Sequence, residues 1–457
     1  MRDKQTSMVL LLTVAMILPG CCNGFRTPYQ RPSATFPSNF AHADIAARAS
    51  LDRWWVNFND PNLNAVVSEV LRVNSDLALA ALNLRAAWLQ THLALINPTV
   101  AAGYTYEASK PLNGAAPTTQ FHSLTASASY ELDLWGQLAA VKDAARWEAR
   151  ATEEDRRAAA LIVIGTAVNL YLEIADSNYR IDLSAQSISY GTRCLQLVRV
   201  LKTAGGATQL EIVEAEQSLQ SQKASYAALI EQRVELRNAL AVLLNGTWWP
   251  ENKEPAALPD DSPPAVAAGL PASLLERRPD LRAAEMRLRE SLAQSDATRL
   301  SFYPNLSLTG SVGTASTGLS EVVSNPLGSL AVALSLPFIQ ANQAHFATQF
   351  ARTQYDKAVV SFRKTLLQAL VDVDNALSAR TQLAKEDTQL ESSLESARTA
   401  EHLYEVRYRA GAVPLRPWLD AQEARRQAEI AIAGNRLARL LNYAALCQSL
   451  GGDADRF

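Results

Sequence analysis

The 457-residue sequence has few of the features that mark a nucleic-acid-binding protein, a disulfide-rich protein or a helical membrane protein. Its 43 Lys and Arg against 46 Asp and Glu leave a net charge of −3, which provides no field to attract a polyanion. Its only long apolar run, Met8–Leu18, is too short to span a bilayer as a helix, which takes about 20 residues. Four cysteines, Cys21, Cys22, Cys194 and Cys447, are too few for a disulfide framework.

The sequence also lacks the residue patterns of common catalytic and cofactor sites. Gly205-Gly206 is not followed by the lysine of a phosphate-binding loop. The histidines show no metal-ligand spacing, so we expect neither catalysis nor a metal or other cofactor. They are His42, His92, His122, His345 and His402.

The N-terminus has the order of an export signal. Arg2 and Lys4 precede the apolar run, and Leu18-Pro19-Gly20-Cys21 has the form of a bacterial lipobox, in which the cysteine is acylated and becomes the first mature residue. We predict a signal peptide at 1–20, a lipidated Cys21, and a lipid-anchored N-terminal segment at 21–59. An ordinary signal peptide that happens to contain cysteine is the alternative.

Most of the remaining chain consists of two similar halves in tandem. Four landmarks recur in the same order in both halves, which predicts tandem structural repeats. The first pair is 204 residues apart and the other three are 206 residues apart. The pairs are Asp76-Leu77 with Asp280-Leu281, Pro98 with Pro304, Ala204-Gly205 with Ala410-Gly411, and Glu214-Ala215 with Asp420-Ala421.

A proline-rich segment separates the two repeats. Residues 247–272 contain six prolines, and this composition allows neither a helix nor a central strand. We therefore predict repeat 1 at 60–246, a linker at 247–272, repeat 2 at 273–451 and a C-terminal tail at 452–457.

Each repeat contains a predicted pair of strands. Apolar and polar residues alternate strictly from Leu124 to Leu134, which is the period of a strand with two different faces. Thr99–Tyr106 is the expected partner of this strand. In repeat 2 the same pattern predicts strands around Leu306–Val312 and Leu330–Leu336, joined by a loop at Gly313–Ser329.

Long helices follow each strand pair. Gln137–Lys202 contains no proline, and apolar residues from Ile212 to Leu243 recur every three or four positions, as in a coiled coil. Asn62–Ile96 is also predicted to be one helix. Gly205 and Gly411 stand where the long helices should break, because glycine adopts the left-handed conformation of a helix C-terminus.

Four strands cannot close a membrane barrel, since closed barrels begin at about eight strands. The protein must therefore oligomerise or keep its strands in water. The alternation fits lipid on one face and water on the other, but a soluble antiparallel sheet packed on a core gives the same pattern and remains an alternative.

Several motifs carry a resemblance to a known family. They are Trp54-Trp55 with Phe58 and Asp60-Pro61, Tyr130-Glu131-Leu132-Asp133-Leu134-Trp135-Gly136, Leu275-Glu276-Arg277-Arg278-Pro279-Asp280, and Arg407-Tyr408 with Gly411 and Leu419-Asp420-Ala421-Gln422. Together they resemble the TolC-type outer-membrane efflux family in its lipoprotein branch, the NodT-like components of resistance–nodulation–division pumps. The resemblance extends from the lipobox to about Gly451. Ile339-Gln340-Ala341-Asn342 departs from the family's glycine-rich turn.

The resemblance implies a mixed fold, a membrane β-barrel plus an α-helical barrel. Three protomers would give four strands each to a twelve-stranded barrel in the outer membrane, and their helical hairpins would continue into the periplasm. The expected partners are two further copies, a periplasmic adaptor (membrane fusion) protein, an inner-membrane pump and outer-membrane lipid. The implied function is passive export of small molecules such as drugs. A type I protein exporter, a metal-type or major-facilitator exporter, and a structural envelope lipoprotein remain alternatives.

In such a duct, a periplasmic gate is expected near the middle of each long hairpin. If the first arms run from Gly136 to Gly205 and from Ala341 to Gly411, their midpoints lie near Tyr171 and Glu173 and near Asp372 and Asp374. Three copies of one aspartate around a threefold axis would form a carboxylate ring that favours cations. The alternative is that these are solvated acids beside a hairpin turn.

Overall fold

The structure is a computed structural model, and part of the chain lies outside what it describes. The predicted signal peptide, Cys21 and the residues after Gly452 are among the parts outside. The described residues are 25–33, 37, 39–40, 51–94, 96–112, 117–259, 266, 271–318 and 326–452.

The chain divides into two compact units. One contains residues 83–153 and 283–364, which include every described strand. The other contains residues 154–282 and 365–452, which include both helical hairpin turns. Twelve helices and strands are used below: α1 Pro61–Val73, α2 Ser75–Leu93, β1 Thr99–Ser109, β2 Thr119–Leu132, α3 Gln137–Thr203, α4 Gln209–Leu243, α5 Leu274–Arg277, α6 Pro279–Leu300, β3 Asn305–Ser316, β4 Pro326–Ser335, α7 Ala341–Arg409 and α8 Leu415–Ser449.

The four strands form one antiparallel sheet in the order β1-β2-β3-β4. The strands of repeat 2 are longer than predicted, because residues 313–316 belong to β3 and residues 326–329 to β4. The predicted loop at Gly313–Ser329 is therefore wrong at both ends. Gly313 lies opposite Thr125, where a Cβ would come within 2.9 Å of the Thr125 side chain. This glycine allows the close approach of two strands and makes no turn.

The long helices confirm the predicted fold class. α3 has 67 residues and α7 has 69, while α4 and α8 have 35 each. α3 contains a window apolar enough to cross a membrane, but 61% of that window is buried within the chain, as in a core helix.

The helix predicted at Asn62–Ile96 is two helices. Asn74 has an extended backbone and interrupts them. Its side-chain oxygen accepts hydrogen bonds from the backbone N–H groups of Asp76 and Leu77, at 3.0 and 3.1 Å. Asn74 thus caps α2, because a short polar side chain competes with the helix for backbone donors.

The two repeats make the bend from strand to long helix differently. In repeat 1, Gly136 has a φ of 81° and Asp133 caps α3 by accepting from the N–H groups of Leu138 and Ala139. In repeat 2, a short 3-10 turn at Pro337–Ile339 makes the bend, with no glycine.

Candidate functional site

The sheet has two chemically different faces, and the pairing register assigns every strand residue to one of them. Directly opposed residues share a face, so Tyr104, Leu124 and Thr314 lie on one side and Ala101, Ser127 and Ser311 on the other. The apolar face is made by even-numbered residues: Val100, Ala102, Tyr104, Leu124, Ala126, Ala128, Tyr130, Leu132, Leu306, Leu308, Val312, Leu330, Val332 and Leu334.

The opposite face is rich in hydroxyl groups. Three pairs of side chains from neighbouring strands join their hydroxyls at 2.7–3.0 Å. Glu107 and Glu131 are the charged residues on this face, and the strands as described contain no lysine or arginine. The pairs are Ser109 with Thr119, Ser129 with Thr309, and Ser311 with Ser329.

Strand length and aromatic residues match a bilayer. The strands have 10–14 residues, and a tilted transmembrane strand takes about 9–11. Towards one end of the apolar face, the rings of Tyr106 and His122 lie 4.8 Å apart, level with Ser316, the last residue of β3. At the other end, Trp135 follows β2, lies 5.5 Å from the ring of Tyr303 and donates to the carbonyl of Pro304. Aromatic girdles of this kind flank the apolar band of outer-membrane barrels.

The segment at residues 25–33 is tied to the helices that flank the sheet. Phe25 packs edge-on against Trp135 at 5.2 Å. Arg26 forms an ion pair with Asp143 of α3, and the backbone and hydroxyl of Thr27 both donate to Asp296 of α6 at 2.7 Å. This segment, which follows the predicted anchor, thus contacts a helix from each repeat.

Both hairpin turns have glycine in the left-handed conformation. Gly205 has a φ of 81° and Gly411 a φ of 70°. After each glycine, the next N–H donates back into the last helical turn: Gly206 to the carbonyl of Leu201 at 2.8 Å, and Ala412 to that of Arg407 at 2.9 Å. This is the hydrogen-bond pattern of a Schellman cap.

The turns of the two repeats lie in one apolar cluster. Trp418 is 2% exposed and packs on Tyr408 at a ring separation of 5.3 Å. Glu211, which caps α4 together with Thr208, also accepts from the N–H of Leu415 at the start of α8. The buried members are Cys194, Leu195, Val198, Ala215, Leu219, Tyr408, Leu415 and Trp418, so four long helices contribute.

The first pair of predicted gate residues lies about halfway along α3. Tyr171 is buried and its hydroxyl donates to Asp60 at 2.6 Å; burial and this bond raise its pKa. Glu173 is half-buried, and burial followed by the charge of Asp176 raises its pKa. At 1.5 Å per residue, both lie roughly 50 Å along the helix from the turn at Gly205.

The second pair lies at the corresponding place on α7. Asp372 accepts from Arg278 at 3.3 Å and from Gln368 at 2.8 Å, whereas Asp374 is half-buried. The structure therefore does not bring Tyr171 and Asp372 into one hydrogen-bonded group. Asp372 lies far along α7 from the turn at Gly411 and is ion-paired with Arg278, and the carboxylate ring and its alternative of solvated acids both stay predictions.

The arginine at the centre of this second group belongs to Arg277-Arg278, which the sequence predicts to pair with acidic neighbours without indicating which ones. Arg278 is only 12% exposed and donates to Asp280, to Asp372 and to the carbonyl of Ser449. Burial lowers its pKa, but the bonds and charges of Asp280 and Asp372 raise it above the usual value. Among the residues described, no group of three His, Cys, Asp or Glu side chains is placed to bind a metal ion.

Comparison with known proteins gives consistent matches. The outer membrane efflux protein family matches residues 66–246 and 270–452. A pyoverdine export outer membrane protein, OpmQ of Pseudomonas putida, is 29% identical over 413 residues, which cover 88% of each chain. A probable efflux pump outer membrane protein, TtgC of Pseudomonas putida, is 28% identical over 464 residues, 98% of this chain and 95% of TtgC. The open state of the Neisseria gonorrhoeae MtrE outer membrane channel matches with a TM-score of 0.78 at 29% identity, covering 94% of this chain and 98% of MtrE.

The two matched stretches correspond to the two structural repeats. Each contains a strand pair, a long helix of 67 or 69 residues and a second helix of 35 residues. Together they cover most of the sequence, and the two-faced sheet and paired hairpins lie within them. The chain therefore belongs to the outer membrane efflux protein family.

Proposed function

We propose that this outer-membrane efflux channel is the passive exit duct of a tripartite pump, working as a trimer with a periplasmic adaptor and an inner-membrane pump. The observation that carries the proposal is the two-faced sheet, in which each pair of strands is followed along the chain by a long helix. Three copies supply twelve strands, enough to close a barrel with lipid outside and water inside. Each long helix reaches about 100 Å at 1.5 Å per residue, which suits a periplasmic conduit.

The cargo we propose is small organic molecules, and the chain itself performs no catalysis. Relatives named for pyoverdine export and for an efflux pump support this class. The test is deletion of the gene followed by growth on a panel of dyes, antibiotics, solvents and metal salts. Increased sensitivity to organic compounds, restored by the intact gene, is expected. Sensitivity to metal salts alone would support the metal-exporter alternative, and unchanged sensitivity to the whole panel would reject small-molecule efflux.

We also propose that Cys21 is acylated and anchors the mature chain. Phe25, four residues after Cys21 in the sequence, packs on Trp135, which follows β2, and this position beside the end of a strand supports an anchor at the membrane surface. Mass spectrometry of the mature N-terminal peptide should show a lipid-modified cysteine; an unmodified peptide starting elsewhere would reject the anchor.

We propose that Asp372 and Asp374 form a carboxylate ring at the periplasmic gate. Tyr171 and Glu173 are the corresponding gate residues in repeat 1. Because Arg278 offsets part of the charge of Asp372, we expect Asp374 to supply more of the cation preference. In planar-bilayer recordings, Asp374→Asn should lower two properties more than Asp372→Asn does. These are the selectivity for cations and the block of the conductance by divalent cations.

Glu386→Gln, which removes an exposed acid from the same helix, serves as the matched control for these recordings. It should leave both properties unchanged. Unchanged selectivity and block in the Asp372→Asn, Asp374→Asn double variant would place the gate elsewhere.

A further inference from the structure

A cavity of about 570 Å³ lies within the unit that contains residues 154–282 and 365–452. Its lining comes from α3, α7 and α8 and from the short segment where α5 ends and α6 begins. Cavities that hold small organic molecules usually measure about 300–1,000 Å³. This cavity is therefore large enough for a ligand of that class, and we call it the Arg278 cavity after the arginine in its lining.

The walls of the Arg278 cavity are largely apolar. Alanines on all three long helices leave the space open, and Leu161 and Ile162 of α3 add larger side chains. Ile162 is 65% exposed. Removing such a surface from water favours binding of a hydrocarbon group. The lining alanines are Ala158, Ala376, Ala379 and Ala445.

Three of the described residues that line the cavity carry a charge, and they form one cluster. Arg278 donates to both Asp280 and Asp372, so one positive and two negative charges leave an excess of negative charge. The two carboxylate side chains are 40% and 35% exposed, whereas that of Arg278 is 12% exposed. A ligand in the cavity therefore meets more of the carboxylates than of the guanidinium.

Two amide side chains in the lining also suit a positively charged ligand. Asn442 donates to the carbonyl of Ala376 and Gln448 to that of Leu161, both at 2.9 Å. These bonds use the amide nitrogens, so most of the remaining hydrogen-bonding capacity lies on the amide oxygens, which are acceptors.

We propose that the Arg278 cavity binds a lipophilic organic cation. The alanine-rich walls hold the hydrocarbon part of the ligand, and Asp280 and Asp372 attract its positive charge. An anion of the same shape is repelled by the same two carboxylates. The inference rests on the proposed function in one respect, since it takes the ligand to be one class of the small organic cargo proposed above.

Two ions of nearly the same shape and opposite charge test the proposal, tetraphenylphosphonium and tetraphenylborate. Their binding to the purified full-length protein is measured by isothermal titration calorimetry, with a titration into detergent alone subtracted. We expect the cation to bind about tenfold more tightly than the anion, because the excess charge of the cavity is negative. Equal affinities, tighter binding of the anion, or no binding of the cation would overturn the proposal.

Two variants locate the binding site. Ala445→Phe fills part of the cavity from an exposed position, and Asp372→Asn removes one negative charge. Each should weaken binding of tetraphenylphosphonium about tenfold, since each removes one of the two contributions to binding. The matched controls are Ala424→Phe, an exposed position on α8 outside the lining, and Glu386→Gln on α7, and both should bind as the unaltered protein does.

Unchanged affinity in Ala445→Phe, or an equal loss in Ala424→Phe, would overturn the assignment to this cavity. Failure of the proposed function gives a different result, since it appears as unchanged sensitivity of the deletion strain to the whole compound panel. Increased sensitivity of that strain without binding of tetraphenylphosphonium would overturn the cation site and leave the duct standing.

Discussion

Replacing Ala126 by arginine is expected to prevent stable assembly in the outer membrane, while the same replacement at Ser127 is tolerated. Ala126 lies near the middle of β2 on the apolar face, and Ser127 is on the hydroxyl face. An arginine on the lipid side of a barrel costs about 2–4 kcal/mol at the bilayer midplane. Each trimer would incur this cost three times.

The two variants differ by one position in the same strand, so they form a matched pair. The measurement is the fraction of protein recovered as trimer from outer-membrane fractions, together with the ability to restore dye export. We expect loss of both for Ala126→Arg and near-normal values for Ser127→Arg. Equal recovery of the two variants would favour a sheet exposed to water on both sides.

Replacing Arg278 by alanine should destabilise the helical part of the protein by about 1.5–3 kcal/mol, the usual contribution of hydrogen bonds to charged groups, because its partners Asp280 and Asp372 are themselves 40% and 35% exposed. The Arg278 side chain is 12% exposed, and its loss leaves Asp280, Asp372 and the carbonyl of Ser449 without a shared donor. The urea midpoint of helix unfolding, followed by circular dichroism in detergent, should fall.

The neighbouring Arg277 provides the control for this prediction. It is exposed, so Arg277→Ala should shift the urea midpoint far less. Equal shifts for the two alanine variants would contradict a special role for the buried guanidinium. Arg278→Lys should recover only part of the stability, because an ammonium group cannot make the forked contacts of a guanidinium.

The features that could be predicted are those that show in the local spacing of residue types along the sequence. Apolar and polar residues alternate from Leu124 to Leu134, so the strand and its two faces follow from neighbouring residues alone, although β2 itself begins at Thr119 and ends at Leu132. The long helices were predictable for the same reason, since Gln137–Lys202 contains no proline to interrupt them.

Other features depended on contacts that local sequence does not encode. Arg278 and Asp372 are 94 residues apart, and no pattern near either residue indicates the other. Asn74 stands within an alanine- and leucine-rich stretch, yet its side chain ends one helix and begins the next. The sequence predicts a loop at residues 313–316, where the structure has a strand, because glycine, serine and threonine are typical both of turns and of a strand face turned to water.

The hydroxyl-lined face affects how molecules pass along the strand segment of the channel. Serine and threonine each donate and accept hydrogen bonds, so a travelling molecule can exchange partners with them at little energetic cost. The fixed charges of this face, Glu107 and Glu131, are of one sign, and three copies of each would attract cations and repel anions. We therefore expect neutral and basic compounds to diffuse through the strand segment faster than acids.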